Sequence, residues 1–140
     1  MNKEEILQNS IIISIKTIHL KRIESGIKNY EFRNYIPKRK FKYLIVHESN
    51  AGIKYIIEID NIIEYPNKIK EDGYGNDKFN NGLMTTYAYH IKHVYKLNKI
   101  LDLKYLKEKY NFRPPQAFMY TENYKDLIEE ILNIKKDKIK

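Results

Sequence analysis

Apolar and polar residues alternate with two different periods along the 140 residues of this chain. Alternation with a period of two, or a short continuous run of β-branched residues, predicts a strand, whereas apolar residues three and four positions apart predict a helix. The predicted strands are 11–15, 29–33, 43–47, 53–65, 87–97 and 116–120, and the predicted helices are 17–25, 101–110 and 123–134, after a polar lead-in or helical turn at 1–10.

These elements predict an α+β fold, because six strands with few helices do not follow a repeated βαβ order. A turn at 49–52 joins two of the strands into a hairpin. The short strands favour a small mixed β-barrel with flanking helices. At this length, residues 1–140 are expected to form a single domain.

Local residues indicate where the helices begin and end. Ser14 or Thr17 is expected to cap the first helix, and Gly26 follows it where a left-handed residue is wanted. Asp102 is expected to cap the second helix, and Pro114-Pro115 prevents that helix from continuing.

The connection 66–85 differs in composition from the segments around it, because it has three glycines, several asparagines and little apolar periodicity. A connection of this length inside a compact domain is commonly functional or disordered. Its aromatic residues Tyr74 and Phe79 favour an ordered, flap-like insertion loop.

The segment from Gly26 to Arg33 places three charged residues around the turn between a helix and a strand. In the predicted strand, Glu31 and Arg33 share one polar face, and Lys28 lies at the mouth of the turn. A carboxylate beside two cations stays ionised and orients them, which suits a polar ligand. A surface ion-pair cluster without a binding role explains the same pattern.

Charge is distributed unevenly along the chain, whose formal net charge is +8. Residues 16–42 hold nine cations against Glu24 and Glu31, so most of the basic surplus surrounds this segment. Such clustering suits a surface that contacts phosphates, since each neutralised phosphate releases counterions. A solvated basic loop at Lys38-Arg39-Lys40 is the alternative, and an A/T-rich coding sequence also enriches lysine.

The chain contains no cysteine, which excludes disulfides and thiolate metal sites. No apolar run approaches the roughly twenty residues of a membrane span, and the first residues lack a signal-peptide pattern. A cytoplasmic protein that does not bind membranes is therefore expected. His90 and His93 point to opposite faces of a strand, and no histidine has metal-ligand spacing, so no metal site is predicted.

The order of three short motifs resembles the ASCH domain family, a relative of the PUA and EVE domains. The motifs are Ser14-Ile15-Lys16, then Gly26-x-Lys28-x-x-Glu31-x-Arg33, and later Pro114-Pro115-Gln116-Ala117-Phe118. The resemblance extends from about residue 11 to residue 120. It implies a PUA-like β-barrel whose cleft, lined by the motif lysine and its polar neighbours, faces RNA or a modified nucleobase.

Some bacterial members of this family are amidohydrolases that act on acetylated cytidine. They use the motif lysine, a threonine three residues later and a downstream glutamate. Lys28 matches that lysine, but Glu31 stands in place of the threonine. The family's general pattern has a glutamate there, which favours binding over catalysis.

Three functions are therefore carried forward. The leading hypothesis is binding of RNA or of a modified nucleobase or nucleotide, with DNA also possible and no cofactor required. The alternatives are an amidohydrolase, with Lys28 and Glu31 as catalytic residues, and a module that binds an acidic protein. The expected binding residues are Lys16, Lys28, Glu31, Arg33, Lys38, Arg39, Lys40, Tyr74, Asn76, Phe79 and Gln116.

Not all of these residues need a ligand to explain them. Tyr74 and Phe79 are placed to stack on a base and Asn76 to read its edge, or all three simply pack the loop. Lys16 lies at the strand end, where it reaches the cleft or faces solvent. Gln116 is placed to hydrogen-bond a base, or it is buried at a strand end.

Overall fold

The fold is described from a computed structural model that covers residues 2–140. The helices are α1 (Lys3–Asn9), α2 (Thr17–Ser25), α3 (Asn76–Asn80), α4 (Leu103–Tyr110) and α5 (Lys125–Asn133), the last preceded by a 3₁₀ turn, Thr121–Tyr124. The strands are β1 (Ser10–Ile15), β2 (Tyr30–Arg33), β3 (Tyr43–Glu48), β4 (Gly52–Glu64), β5 (Tyr87–Asp102), β6 (Met119–Tyr120) and β7 (Lys136–Lys138).

The strands form one mixed sheet in the order β2-β5-β4-β3-β1-β6, with β7 paired to β5. Only β1 and β3 are parallel among the paired strands of residues 2–140. Register shifts interrupt the β3–β4 and β4–β5 ladders, and such irregularities bend and twist strands. The sheet curls into a half-barrel with helices beside it, which confirms the predicted α+β class.

The two faces of the sheet bury separate cores. Ile11, Ile13 and Ile15 pack inside the half-barrel, where α2 covers them with Leu20 and Ile23. Ile12 faces the opposite side and packs against the core formed with α1, α4 and α5. The alternation along β1 therefore fixes which side of the strand faces the barrel interior.

The predicted end of α2 is confirmed, whereas its predicted cap is wrong. Gly26 has φ of 89°, in the left-handed region, and its N–H donates to the carbonyl of Ile23 at 3.1 Å. Lys16 occupies the N-cap position without a side-chain hydrogen bond. Thr17 instead donates to Glu48, and Ser14 lies beside His47. Both candidate capping side chains therefore contact β3, which runs parallel to β1, and neither caps the helix.

Two strands, β5 and β6, have bounds that differ from the predicted ones, and β7 was not predicted. Strand β5 continues to Asp102, because its last residues pair with the start of β4, where Leu101 lies opposite Ile53. Strand β6 has only two residues, since Pro114-Pro115 and the residues after it stay irregular. Strand β7 was missed because Lys136–Lys138 has no apolar alternation and is held by backbone pairing with β5.

The segment 66–85 is packed against the sheet. Phe79 of α3 is fully buried in a small core with Tyr30, Ile69 and Ala88. The side chain of Asn80 accepts from the N–H of Ile69 at 2.7 Å and donates to its carbonyl at 2.9 Å. These contacts hold the segment over β2 and β5. None of the helices among residues 2–140 combines the length and apolar character that crossing a membrane requires.

Candidate ligand-binding cleft

A cleft of about 250 Å³ opens where β1 ends, α2 begins and β2 passes. Its lining residues come from these three elements and are Ser14, Ile15, Lys16, His19, Glu31, Phe32 and Arg33. Three of the charged residues expected from the sequence, Lys16, Glu31 and Arg33, therefore meet at one cavity.

The cleft lies at the seam of the half-barrel, where the edge strand β2 comes close to β1, the neighbour of the other edge strand β6. Strands β1 and β2 are not paired, and side chains connect them instead. Arg33 Nη2 donates to the carbonyl of Ser14 at 2.9 Å, and the Tyr35 hydroxyl donates to the carbonyl of Ala117, also at 2.9 Å. The seam leaves space for a ligand while these two bonds limit how far it opens.

Glu31 is the centre of a buried ion network. Arg33 donates to its Oε2 from Nη2 at 2.6 Å and from Nε at 3.0 Å. Lys28 Nζ lies 3.4 Å from its Oε1. Glu31 is 5% exposed and Lys28 2%, so the cluster is not the surface ion pair that the sequence also allowed.

Burial and charge act in opposite directions on the two cations. Burial lowers the pKa of Lys28, and the carboxylate of Glu31 opposes that change. For Arg33, burial also disfavours the charged form, but Glu31 and Tyr35 outweigh it and the pKa is raised. Lys28 is therefore the cation of the pair that releases a proton more readily.

Lys28 is not among the residues that line the cleft. Its Nζ lies 4.4 Å from the centre of the Phe32 ring and 3.4 Å from Glu31 Oε1, so it contacts two of the lining residues. Of the two Glu31 carboxylate oxygens, Oε2 accepts both hydrogen bonds from Arg33. Oε1 keeps free acceptor capacity and is suited to a ligand N–H or amine.

His19 is a lining residue that the sequence reasoning missed. Its Nδ1 is buried and has no hydrogen-bond partner among residues 2–140. Burial chiefly lowers its pKa, Lys28 lowers it further, and Glu31 opposes both. The helical spacing of Lys16 and His19 was the available signal, since residues three apart share a helix face.

Ser14 shares the cleft wall, but its hydroxyl is engaged elsewhere. It donates to the carbonyl of Pro115 at 3.2 Å, and His47 Nδ1 lies 2.9 Å from the same oxygen. His47 is buried, which chiefly lowers its pKa, and its Nε2 has no partner within the described chain. The late proline motif thus meets the first motif through Ser14.

Three solved structures of similar fold are crystal structures of ASCH proteins from Zymomonas mobilis. The crystal structure of ASCH from Zymomonas mobilis has a TM-score of 0.63 and 19% identity, and covers 91% of this chain and 97% of its own. Two mutant forms from the same organism have TM-scores of 0.65 and 0.64 at 18% identity, covering 92% and 91% of this chain and 99% of theirs. The chain has an ASCH fold. No protein-family model matches its sequence, and no curated protein is significantly similar to it.

The other expected residues lie outside the cleft of this ASCH fold. Lys38, Arg39 and Lys40 border a separate and larger groove. Gln116 is exposed next to Pro115 and lies outside β6, so it is not a buried strand-end glutamine. Tyr74 lines a small neighbouring depression, where the Arg22 guanidinium lies 4.0 Å above its ring.

Two residues of the 66–85 segment are structural in this arrangement. Phe79 has no exposed ring face for a base to stack on. Asn76 is buried, and its side-chain amide donates to Asn29 at 3.0 Å and to the carbonyl of Glu71 at 3.1 Å. Among residues 2–140, no group of three histidine, aspartate or glutamate side chains is arranged to hold a metal ion.

Proposed function

We propose that this protein binds RNA, or a modified nucleobase or nucleotide, in the cleft at the barrel seam. One observation carries the proposal: a buried carboxylate, fixed between two cations, forms a wall of the cavity and has an exposed lysine at its mouth. The carboxylate accepts from a base amine or ring N–H. Lys16, and the partly exposed Arg33, supply positive charge for carbonyl or phosphate oxygens.

The fixed position of Glu31 favours recognition. Both of its oxygens are held by buried partners, so the carboxylate keeps one orientation before a ligand arrives. A preorganised acceptor loses little freedom on binding and discriminates against ligands that lack the matching donor. His19 adds a second buried polar atom without a partner, which is suited to the same ligand.

The amidohydrolase alternative receives less support. It requires Lys28 to reach the substrate, but Lys28 is not among the residues that line the cavity. Its lowered pKa is compatible with a proton-transfer role, although burial alone produces the same direction. An acidic-protein partner is less suited to a cleft of about 250 Å³ than to an extended basic surface.

Backbone amide shifts in NMR titrations test the proposal directly. The probes are the four nucleoside 5′-monophosphates, N4-acetylcytidine and a short uridylate oligomer. The proposal expects saturable shifts concentrated at residues 14–19 and 31–33. Shifts spread over the surface, or no shifts with any probe, contradict it. Conversion of N4-acetylcytidine to cytidine in the same samples, followed by chromatography, would support the amidohydrolase instead.

A further inference from the structure

A groove of about 690 Å³, larger than the cleft, is lined by the β2–β3 connection and the central strands of the sheet. One wall is the connection itself, and the other is the second half of β4 with one residue of β5. Its lining residues are Ile36, Pro37, Lys38, Arg39, Lys40, Phe41, Lys42, Glu58, Ile59, Asp60, Asn61, Ile62 and Lys92. The volume falls within the range of about 300–1,000 Å³ that is common for ligand sites.

The groove has an apolar floor and a cationic rim. Ile59 and Ile62 extend the barrel core into the floor, and Phe41 packs beside them, with its ring 5.4 Å from that of Tyr89. Lys38, Lys40 and their neighbours border this floor. An apolar surface flanked by positive charge matches a single nucleic-acid strand, which presents base faces on one side and phosphates on the other.

The acidic residues of the groove already have partners within the protein. Glu58 is buried between Lys42 Nζ at 3.7 Å and Lys92 Nζ at 3.6 Å. Asp60 accepts from His90 Nδ1 at 2.6 Å. Arg39 pairs with Glu122 and lies 4.2 Å from the centre of the Tyr120 ring.

Lys38 and Lys40 are the free cations of the rim. Both are exposed, and no carboxylate of residues 2–140 is within ion-pair distance of either one. They are therefore available to phosphates without first breaking an internal pair. The charge complementarity favours a polyanion over an apolar partner.

The groove and the cleft lie close together along the chain. Arg33 lines the cleft and Ile36 lines the groove, and three residues span at most about 11 Å. Between them, the carbonyl of Tyr35 accepts from the Tyr89 hydroxyl at 2.5 Å, which ties the connection to β5. A strand that places one nucleotide in the cleft therefore has the groove within reach of its neighbours.

We infer that the groove holds the flanking nucleotides of a single-stranded polynucleotide, with phosphates on Lys38 and Lys40 and base faces over Phe41 and Ile59. The inference rests on the proposed function, because it takes the cleft ligand to be one nucleotide of that strand. It names a polynucleotide, and not a free nucleotide, as the full ligand.

The test uses fluorescence anisotropy with labelled uridylate and thymidylate 12-mers over a salt series. The double substitution Lys38→Gln/Lys40→Gln removes the free cations, and Lys99→Gln/Lys104→Gln removes two exposed lysines far from the groove as a matched control. We expect the first variant to bind the uridylate 12-mer about tenfold more weakly and its salt slope to fall by about 1.4, from about 0.7 per lost phosphate contact on a single strand. The control is expected to bind like wild type.

Mononucleotide binding separates this inference from the proposed function. Shifts at residues 14–19 with a nucleoside monophosphate are expected to survive in Lys38→Gln/Lys40→Gln. If both double variants bind the 12-mer equally, or if polyglutamate displaces it more effectively than unlabelled RNA, the groove inference is overturned.

If mononucleotides fail to bind while the 12-mer retains its dependence on Lys38 and Lys40, the cleft proposal fails and the groove stands as the binding site. Equal affinity for the two 12-mers supports a groove that accepts either sugar, and preference for uridylate identifies RNA.

Discussion

The cleft and the groove contain the same chemical groups in opposite surroundings. In each, one buried glutamate lies between two cations: Glu31 between Lys28 and Arg33, and Glu58 between Lys42 and Lys92. The cations of the cleft are 3% and 15% exposed at their side chains, whereas both lysines of the groove are 46% exposed. Water therefore screens the groove and hardly reaches the cleft network.

Because of this difference in exposure, the cleft is suited to selecting a ligand by its shape, and the groove is suited to attracting one by its charge. Buried charges are costly to leave unpaired, so the cleft network fixes one geometry and is suited to selecting a ligand. Exposed charges contribute little to stability but attract phosphates over a longer range, in a salt-dependent way. An identical substitution in the two sites is expected to have very different consequences.

The largest effect is expected from Glu31→Gln. The change leaves Lys28 and Arg33 buried without their counter-charge, which typically destabilises a protein by about 3–5 kcal/mol. Urea denaturation followed by circular dichroism measures the free energy of unfolding. The matched variant Glu58→Gln is expected to lose less than about 1 kcal/mol, because water stabilises Lys42 and Lys92.

Glu58→Gln also changes binding in the opposite direction. Removing this carboxylate frees Lys92 on the groove rim and leaves Lys42 paired with Glu5 alone, at 3.6 Å, so affinity for the uridylate 12-mer is expected to rise at low salt. Comparable losses of stability in the two glutamine variants would contradict the distinction between a buried and a screened network. Unchanged affinity in Glu58→Gln would show that Lys42 and Lys92 do not contact the strand.

Local sequence signals located the helix, the turn and the strand that build the cleft. Gly26 indicated the end of α2, because glycine readily adopts the left-handed conformation that ends a helix. Period-two alternation placed Glu31 and Arg33 on one face of the strand. The same signals did not reveal how deeply Glu31 is buried. Burial depends on α2 and the 66–85 segment closing over β2, which involves residues far apart in sequence.

The roles of Lys28 and Phe79 show the same limit. Both are residue types that suit a binding site, and spacing alone placed them near the motif. The fold pairs Lys28 with Glu31 and leaves it out of the cleft lining, and it uses Phe79 to fill the core under α3. Only tertiary packing distinguishes an aromatic ring offered to a ligand from one buried to hold a loop.

The seam of the half-barrel offers a smaller test of the cleft. Tyr35→Phe removes the hydroxyl that donates to Ala117 and accepts from Arg33 Nη1 at 3.4 Å. The loss of these two hydrogen bonds, of which the one to Ala117 is exposed and the one from Arg33 is long, is expected to lower the free energy of unfolding by about 1 kcal/mol. Urea denaturation checks this value. Amide hydrogen exchange near Ser14 and Ala117 is expected to become faster, and unchanged exchange there would mean that this bond does not close the seam.

Acidification is expected to weaken the protein through its buried histidines. His19 and His47 both have lowered pKa values, chiefly because of burial, so below the ordinary histidine pKa the unfolded chain binds more protons than the folded one. The free energy of unfolding should therefore fall as the pH decreases from about 7 to 5. His47→Gln removes one of these groups and should flatten this dependence in urea denaturation series. An equally steep dependence in that variant would exclude His47 as a source.

The smallest effect is expected at the mouth of the cleft, from Lys16→Gln. Lys16 is exposed, so its loss leaves stability nearly unchanged, in contrast to Glu31→Gln. One lost phosphate contact should reduce the salt slope for the uridylate 12-mer by about 0.7 and weaken binding a few-fold. Lys21→Gln, an exposed lysine on the same helix outside the cleft lining, is the control for net charge. If both variants lower the slope equally, Lys16 acts only through the protein's total charge, and the cleft mouth does not contact phosphate.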